Sequence, residues 1–480
     1  MIHKFHPDKN RWDGVGPHIY KENPGVFREV TKQILFDNEN DLPVQFRYFQ
    51  VEKNGFSSLE HHKHMHAVMI FKGKGHVLLG NQVYAVEEGD FLTIAPWQWH
   101  QLRADRGEIL GFLCLVNHDR DIPKYPTEED LAEIRKNPEA AAKGERIMAE
   151  VKPGTGGDHY IPYEERKGNE SIVYFTRDLS AEGLKKIYEK ISANLTGKIA
   201  VKLHTGEKHG PNILPRPWVK ELLEKEIPDA TIIETNTYYE GDRYTTAQHR
   251  ETLKVNGWTF APVDIIDDES HGTTMLPVKG GKWFDAMSVG KGLLDYDSFL
   301  ALAHFKGHTQ GGFGGSNKNI GIGCADGRIG KAMIHTYEGQ DQWSIGTEEF
   351  MERMTESTKA TIDHFGKKIA YINVMRNMSV SCDCEGVAAA PVVTPNVGIL
   401  ASLDILAVDQ ACVDCVYAMK EEDHHDLVER MESRHGLRQL TYMKELGMGF
   451  DRYVLIDLDN GEKRIDAKEA VKGVKPFVNE

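Results

Sequence analysis

The pattern of apolar residues changes along the chain, and this change restricts the possible folds more than any other feature. Between residue 41 and about residue 118, short β-rich runs alternate with turns that contain Gly, Asp and Asn, a spacing typical of an antiparallel sandwich or barrel. From Ser171 onward, strand-like runs alternate with helix-like runs, which predicts an α/β domain with a mostly parallel sheet. A chain of 480 residues is too long for one hydrophobic core, so we expect several domains.

The segment between these two regions has a different character. Residues 119–170 are rich in charged residues and proline, with one helical pattern over about 128–150, which predicts a linker with a short helix. We therefore expect a β-barrel domain with an N-terminal arm at 1–118, then this linker, and an α/β domain at 171–480.

Charge and cysteine content exclude several classes of protein. The formal net charge of −15 argues against a protein that binds nucleic acid or anionic membranes. Six cysteines in 480 residues do not make a disulfide framework, which indicates a reducing, cytoplasmic location. We expect neither a signal peptide nor a membrane span, because no apolar run of the required length is present. The expected protein is a cytoplasmic homo-oligomer whose partner is a small polar or anionic molecule.

The densest group of metal-binding residue types lies in one short segment. Glu60, His62, His64 and His66 alternate, so on a regular strand they share one face. His100 follows 34 residues after His66, at the end of another strand-like run. Imidazole and carboxylate together suit divalent first-row metals such as Fe, Mn, Ni, Zn or Cu, so this region predicts a metal site.

These motifs resemble the cupin family over about residues 41–118. The sequence IFKGKG corresponds to the turn after the first cupin motif, with Gly73 as its glycine, and GDFLTIAPWQWH resembles the second motif. The resemblance implies a jelly-roll β-barrel that holds one divalent transition metal (Fe, Mn, Ni or Zn). The ligands that it implies are Glu60, His62, His66 and His100. The order Glu–His–His departs from the usual His–His–Glu, and a small change of register would bring in His64. A cupin without its metal is the alternative.

In the α/β region, polar side chains repeatedly follow strand-like runs. Ligands of open α/β sheets bind beyond the carboxyl ends of the strands, so these side chains predict one cleft. The residues expected in this cleft are His204, Asn236, His304, Lys306, His308 and Lys318. Among them, His304, Lys306 and His308 are the candidate acid/base catalysts.

A glycine-rich segment lies between the polar strand ends. Residues 311–331 include eight glycines together with Lys318 and Lys331. Glycine lets backbone N–H groups approach an anion, which favours a cofactor-binding loop that both lysines would serve. A flexible lid or a close-packed turn is the alternative.

Three cysteines of this region are candidate cofactor ligands. Cys382 and Cys384 share one face of an extended segment, and the glycines before Cys324 would let its thiol join them. Thiolates with lowered pKa values at this place could hold zinc or an iron–sulfur cluster. The alternative is three unrelated small residues.

The order of the motifs HFKGH, the glycine-rich segment, CDC and LAVDQAC resembles the family called domain of unknown function 362, along most of residues 171–460. The resemblance implies a link to iron–sulfur chemistry, although this chain lacks the CxxCxxCxxxC run of the ferredoxin insert that many members carry.

Together these patterns predict a metal-dependent cytoplasmic enzyme of small-molecule metabolism, either an isomerase, a lyase or an oxidoreductase. The alternatives are a protein that senses a metabolite or a metal without turnover, and a carrier that delivers metal or cluster to another enzyme.

Overall fold

The computed structural model divides the chain into two compact units, residues 1–156 and 157–480. The residues that the structure describes are 2–7, 10–15, 18–19, 27–38, 42–105, 107–118, 123–126, 128–134, 136, 158–337 and 345–478. Among these residues, no helix is both long and apolar enough to cross a membrane.

The first unit is a barrel-like antiparallel sheet. Its elements are β1 (Phe5–His6), β2 (Arg11–Trp12), β3 (His18–Ile19), β4 (Arg28–Asp37), β5 (Val44–Phe56), β6 (His66–Leu79), β7 (Gln82–Glu87), β8 (Phe91–Ile94), β9 (His100–Ala104), β10 (Leu110–Asn117) and α1 (Glu128–Ile134). The main sheet has the order β10-β6-β9-β5-β4-β3, and β7 and β8 also pair with β6. Because β10 pairs with β5 as well as with β6, the path through β6 and β9 closes on itself.

The interior of this barrel follows from the period of two along each strand. Val68 and Ile70 of β6 pack in one apolar cluster with Phe112 and Cys114 of β10. His66 lies two residues before Val68 and therefore opens onto the same face. The expected antiparallel barrel is confirmed, and its interior face is the one that carries the metal-binding residue types.

The second unit is an α/β domain. Its strands are β11 (Glu170–Thr176), β12 (Ile199–Lys202), β13 (Thr231–Glu234), β14 (Val263–Ile265), β15 (Thr273–Pro277), β16 (Ala286–Gly290), β17 (Ser298–His304), β18 (Lys306–His308), β19 (Gly312–Gly314), β20 (Ile369–Met375), β21 (Gly398–Ser402), β22 (Arg452–Asp457) and β23 (Lys463–Ile465). Its helices are α2 (Ala181–Glu189), α3 (Arg216–Glu226), α4 (Thr246–Val255), α5 (Ser316–Cys324), α6 (Gly330–His335), α7 (Thr347–Phe365), α8 (Ile405–Ala418), α9 (Glu421–Ser433), α10 (Arg438–Glu445) and α11 (Ala467–Ala470).

Nine of these strands form one mixed sheet. The order is β14-β13-β12-β17-β20-β21-β11-β22-β23, with five parallel and three antiparallel pairs. Successive residues of a strand face opposite sides, so Ala200 and Phe299 pack in one apolar core while Val201 and Leu300 pack in another. The carboxyl ends of the parallel strands β12, β13, β17 and β20 meet at one edge of the sheet, as the α/β pattern predicts.

The glycine-rich segment, residues 311–331, is partly helical rather than one loop. It contains β19, all of α5 and the first two residues of α6. A Cβ atom at Gly321 would lie 2.4 Å from the carbonyl oxygen of Met354, so the glycine lets α5 pack directly on α7. Much of the predicted anion-binding loop is therefore a helix, α5, that packs closely on α7.

The segment predicted as a linker is divided between the two units. Of its predicted helix at 128–150, the structure describes 128–134 and residue 136, and the remainder lies outside the described residues. Residues 158–170 belong to the second unit, where Arg166 forms a buried two-pronged ion pair with Asp414 at 2.6 and 2.7 Å.

Candidate functional site

Three histidines of the first unit converge on one point. His62 lies in the segment before β6, and His66 and His100 are the first residues of β6 and β9. Glu60 and His100 form a backbone bridge through hydrogen bonds of 3.0 and 3.1 Å, which holds the two segments together. One ring nitrogen from each of the three imidazoles lies within 4.8 Å of the other two, close to the spacing of ligands around a single metal ion.

Hydrogen bonds fix the position of the ring proton in two of these histidines. His62 Nδ1 lies 2.9 Å from the carbonyl oxygen of His64, and His100 Nδ1 lies 2.9 Å from that of Gln98. A carbonyl oxygen can only accept, so Nδ1 carries the proton and Nε2 keeps its lone pair. Burial lowers the pKa of His62 to about 4 and that of His66 well below its ordinary value, so both rings are neutral at pH 7.

Buried ring nitrogens without partners are the feature that points to a metal. In the part of the chain that the structure describes, Nε2 of His62 and Nε2 of His66 are both buried and accept no hydrogen bond. A buried polar atom without a partner costs about 1–3 kcal/mol, unless a ligand fills the gap. The donor set therefore fits a divalent first-row metal.

The other two predicted participants stand at the edge of this group. Glu60 Oε1 is 4.0 Å from His100 Nε2, and its Oε2 accepts a hydrogen bond of 2.5 Å from the Ser58 hydroxyl. The His64 ring stacks on His62 at a centroid distance of 3.7 Å. Neither belongs to the group of mutually close ligand atoms, so the structure brings together three of the four predicted ligands.

A thiol and a guanidinium that sequence reasoning missed lie beside the histidines. Cys114 Sγ is 3.6 Å from His66 Nδ1 and accepts a hydrogen bond of 3.3 Å from Arg47 Nη2. Arg47 and Cys114 are direct partners across β5 and β10. The available signal was the spacing of Phe112, Cys114 and Val116. These residues are two apart on a strand, so the thiol shares the interior face with the two apolar side chains.

In the second unit, a thiol pair and an imidazole form another compact group. The ligand atoms of His308, Cys382 and Cys384 lie within 4.8 Å of one another. His204 interacts electrostatically with the thiol of Cys382, and Lys318 Nζ is 3.8 Å from its sulfur. Four of the residues predicted for the cleft or its cofactor therefore meet at Cys382, and they come from separate segments of the chain.

Two predicted catalytic residues are tied to Asp383. His304 places Nδ1 2.9 Å from its carboxylate and Nε2 2.7 Å from the carbonyl oxygen of Arg376, while Lys306 Nζ donates to the same carboxylate at 2.7 Å. Burial raises the pKa of Asp383, but His304 and Lys306 outweigh it and hold that pKa well below its ordinary value. These contacts fix the segment that carries the two thiols.

Cys324 does not join the thiol pair. It ends α5 whereas Lys318 lies near the beginning of that helix, and six residues of helix span about 9 Å. Its neighbours include Lys202 and Lys331, yet burial raises the pKa of its thiol to about 12. The lowered pKa expected for this thiol is therefore corrected to a raised one.

Lys331 and Asn236 lie with Cys324 rather than with the thiol pair. Lys331 Nζ donates to Thr235 Oγ1 at 2.6 Å and to the carbonyl oxygen of Asn236. Burial lowers the pKa of Lys331 to about 8. The predicted cleft thus contains two separate polar groups.

Comparison with known proteins agrees with the two units. Residues 47–116 match the family described as Cupin domain, and residues 199–414 match Domain of unknown function (DUF362). Over 133 residues the chain is 50% identical to the 1-methylthio-D-xylulose 5-phosphate methylsulfurylase of Rhodospirillum rubrum, which covers 28% of this chain and 85% of that protein.

Two solved cupin structures are also similar. A cupin 2 conserved barrel domain protein from Rhodopseudomonas palustris is 43% identical, with a TM-score of 0.28, and covers 30% of this chain and 97% of its own. A cupin-2 domain protein from Rhodospirillum rubrum is 46% identical, with the same TM-score and the same coverage. The chain therefore belongs to the cupin family through its N-terminal unit and continues into a domain of the DUF362 family.

Proposed function

We propose that the cupin unit is a metal-dependent enzyme that acts on a methylthio-substituted sugar phosphate, as the name of its Rhodospirillum rubrum relative states for that protein. The observation that carries the proposal is the pair of buried, partnerless Nε2 atoms of His62 and His66, beside His100. The identity of 50% over most of that relative supports the same class of substrate. The proposal names a class of substrate, which the isomerase, lyase or oxidoreductase expected from the sequence did not.

The residues present fit a divalent metal such as Fe, Mn, Ni or Zn, held by His62, His66 and His100 with Glu60 beside them. When bound, such an ion supplies Lewis acidity toward a carbonyl or hydroxyl oxygen of the sugar. The carbonyl oxygens of His64 and Gln98 hold two of the rings in the orientation that ligation needs.

The groups next to the histidines suit a substrate that carries both sulfur and negative charge. Cys114 offers a sulfur nucleophile on the barrel interior. Its attack on the methylthio sulfur would break the bond from that sulfur to the sugar carbon and leave the electron pair on that carbon, which takes up a proton. The Cys114–S–S–CH3 disulfide that forms is reduced by a small thiol included in the assay. Arg47 donates to the Cys114 thiol, and its Nε is buried without a hydrogen-bond partner among the described residues. A guanidinium with a spare N–H is a natural partner for a phosphate oxygen.

Turnover by the metal-loaded full chain tests this proposal. Protein reconstituted separately with Mn²⁺, Fe²⁺, Ni²⁺ and Zn²⁺ is incubated with 1-methylthio-D-xylulose 5-phosphate, and loss of the methylthio signal is followed by proton NMR. We expect conversion with at least one metal, and a loss of at least about 100-fold in Cys114→Ser. Cys415→Ala, which changes a buried thiol of the second unit, is the matched control and should retain the rate.

Two results would contradict the proposal. One is binding of the compound without conversion for all four metals, which would favour a sensing protein. The other is full conversion by the His62→Ala/His100→Ala variant, which would move the activity away from the cupin site.

A further inference from the structure

The thiol pair of the second unit consists of a buried cysteine, Cys382, and a more exposed one, Cys384. Cys382 directly precedes the 3-10 turn Asp383–Ala388, which contains Cys384, and the two sulfur atoms lie within 4.8 Å of each other. Cys382 is 1% exposed, whereas Cys384 is half-buried. Residues two apart span at most about 7 Å, and disulfides join Cα atoms about 4.4–6.8 Å apart, so this pair can bridge with little movement.

Three nitrogen donors surround the buried sulfur. Lys318 Nζ is 3.8 Å from Cys382 Sγ, a ring nitrogen of His308 lies within 4.8 Å of the same sulfur, and His204 interacts with it electrostatically. Each donor comes from a different segment: α5, the loop after β12, and β18. Such a set of donors stabilises a thiolate at Cys382.

The protons of the two imidazoles decide between a thiolate and a metal ligand. His204 Nδ1 accepts the backbone N–H of Gly206 at 2.9 Å, and His308 Nδ1 accepts that of Gly311 at 2.7 Å. A backbone N–H can only donate, so in the neutral rings the proton is on Nε2 and is available to the sulfur. Burial lowers the pKa of His204, and it lowers that of His308 to about 4, so both rings are neutral at pH 7.

This arrangement does not fit the zinc or iron–sulfur cluster expected from the sequence. A histidine that binds a metal presents a lone pair to it and donates its other ring N–H to the protein. His204 and His308 do the reverse. A cluster takes four protein ligands, usually cysteines, and only two thiols lie in this group among the described residues.

The charge on the sulfur follows from the same contacts. The thiol of Cys384 donates to Cys382 and, with Lys318 and His308, holds the pKa of Cys382 well below its ordinary value, although burial raises it. The same hydrogen bond, together with burial, raises the pKa of Cys384. One proton is thus shared between two sulfurs, and the negative charge is stabilised on the buried one.

We infer that Cys382 and Cys384 form a redox-active dithiol that exchanges with a low-molecular-weight disulfide, and that the second unit is a thiol–disulfide oxidoreductase. Cys384 is the sulfur that a small molecule reaches. Cys382 is the sulfur that takes up its proton and then completes the internal disulfide. This activity is separate from the one proposed for the cupin unit.

The exchange balances in two steps. Cys384 attacks one sulfur of R–S–S–R, and its proton passes to the Cys382 thiolate. The S–S bond of R–S–S–R breaks, RS⁻ leaves, and a mixed disulfide remains on Cys384. Cys382 then attacks the sulfur of Cys384, and the second thiol leaves as RSH with the proton of Cys382. The pair is oxidised by two electrons, the disulfide is reduced to two thiols, and a second dithiol reductant regenerates the pair.

Reaction of the reduced full chain with 2-hydroxyethyl disulfide tests the inference. The His62→Ala/His100→Ala background is used, so that any metal found belongs to the second unit. We expect a Cys382–Cys384 disulfide in peptide mass maps, and a mixed disulfide retained on Cys384 in Cys382→Ser. Lys318 lowers the pKa of the attacking Cys384 thiol, which lies above 7, so Lys318→Met should slow the exchange at pH 7 by about tenfold for each unit by which that pKa rises. Lys186→Met, at an exposed ion pair with Asp459, should leave the rate unchanged.

Other results would overturn the inference. Stoichiometric zinc or iron that disappears in the Cys382→Ser/Cys384→Ser variant would identify a metal site. A mixed disulfide that persists on Cys384 in the unsubstituted pair would identify a simple surface thiol. Nitrogen-15 NMR of the histidine rings keeps the test independent of variants that fail to fold. We expect protonated Nε2 in His204 and His308, and protonated Nδ1 in either ring would contradict the arrangement argued here.

Discussion

The histidine clusters of the two units use the same side chain in opposite ways. In the cupin unit, Nδ1 of His62 and of His100 faces a backbone carbonyl oxygen, so Nε2 presents a lone pair. In the α/β unit, Nδ1 of His204 and of His308 faces a backbone N–H, so Nε2 presents a proton. The first arrangement suits a metal ion and the second suits a thiolate.

The difference teaches that the backbone partner of one ring nitrogen sets the chemistry of the other. Both clusters meet the distance criterion for a metal site, with ligand atoms within 4.8 Å. Distance alone would therefore treat them as equivalent. The surroundings differ as well, because Lys318 lies against the thiol pair, while burial keeps His62 and His66 neutral at the edge of the apolar barrel core.

Removal of a cupin ligand should have the largest effect. His62→Ala leaves two imidazoles at the site, and we expect metal affinity to fall by roughly 100-fold or more, since loss of an outer partner alone costs 10–100-fold. Metal content of the dialysed full chain, measured by inductively coupled plasma mass spectrometry, reports the loss.

Two matched histidine variants make this result specific to the comparison. His76→Ala removes a ring of the same barrel that pairs with Asp105 at 2.6 Å, and it should keep the metal. His308→Ala should keep it as well. Metal content that falls in His308→Ala but not in His62→Ala would reverse the roles of the two clusters.

The buried charges of the α/β unit should give the next largest effect. Glu234 accepts from Lys202 Nζ at 2.8 Å, and both side chains are almost fully buried. Glu234→Gln leaves the Lys202 ammonium without its counter-charge, so we expect the free energy of unfolding at pH 7 to fall by about 3 kcal/mol. Urea unfolding measures the loss, and hydrogen exchange of peptides assigns it to the second unit.

The same variant has a definite dependence on pH. Burial raises the pKa of Glu234, but Lys202 and Arg243 outweigh it and hold that pKa below its ordinary value of 4.5. A carboxyl of this kind stabilises the fold above its unfolded pKa, and the stabilisation is lost as pH falls below 4.5. The difference between parent and Glu234→Gln should therefore shrink at low pH. Glu221→Gln, at an exposed pair with Lys225, should show little effect, and an equal loss for Glu234→Gln at pH 7 and pH 3.5 would contradict this account.

The periodicity of apolar residues predicted most of the fold. The segments that it did not predict correctly depend on tertiary packing. The β-rich runs with turns between them predicted the barrel, and alternation along β6 and β10 accounts for the interior face that holds Val68 and Cys114. The glycine-rich segment was predicted as a loop because glycine lets backbone N–H groups approach an anion, and glycine also disfavours helices by about 1 kcal/mol per residue. The contact of Gly321 with α7 overrides that preference, and no local pattern announces it.

The sites divide in the same way. Alternation within one short segment was enough to select His62 and His66, although only His66 lies on β6 and His62 lies in the segment before it. Whether Cys324 can reach Cys382 depends on the length and direction of α5. The sequence did not predict this segment as a helix. The proton position on His308 depends on the turn that brings the Gly311 N–H to its ring, and this is a property of backbone geometry.

The smallest expected effect concerns His64, the alternative ligand of the cupin site. Its ring stacks on His62, but its contribution to the His62 proton position comes from the backbone carbonyl oxygen, which His64→Ala retains. We therefore expect metal affinity to fall by no more than a few-fold, mainly through the lost stacking. Isothermal titration of the metal-depleted full chain with Mn²⁺ compares this variant directly with His62→Ala. A loss as large as that of His62→Ala would mean that the strand shifts its register to use His64. In that case the carbonyl contact of His62 would no longer identify the ligand, and the rule that separates the two clusters would fail at the site where it is clearest.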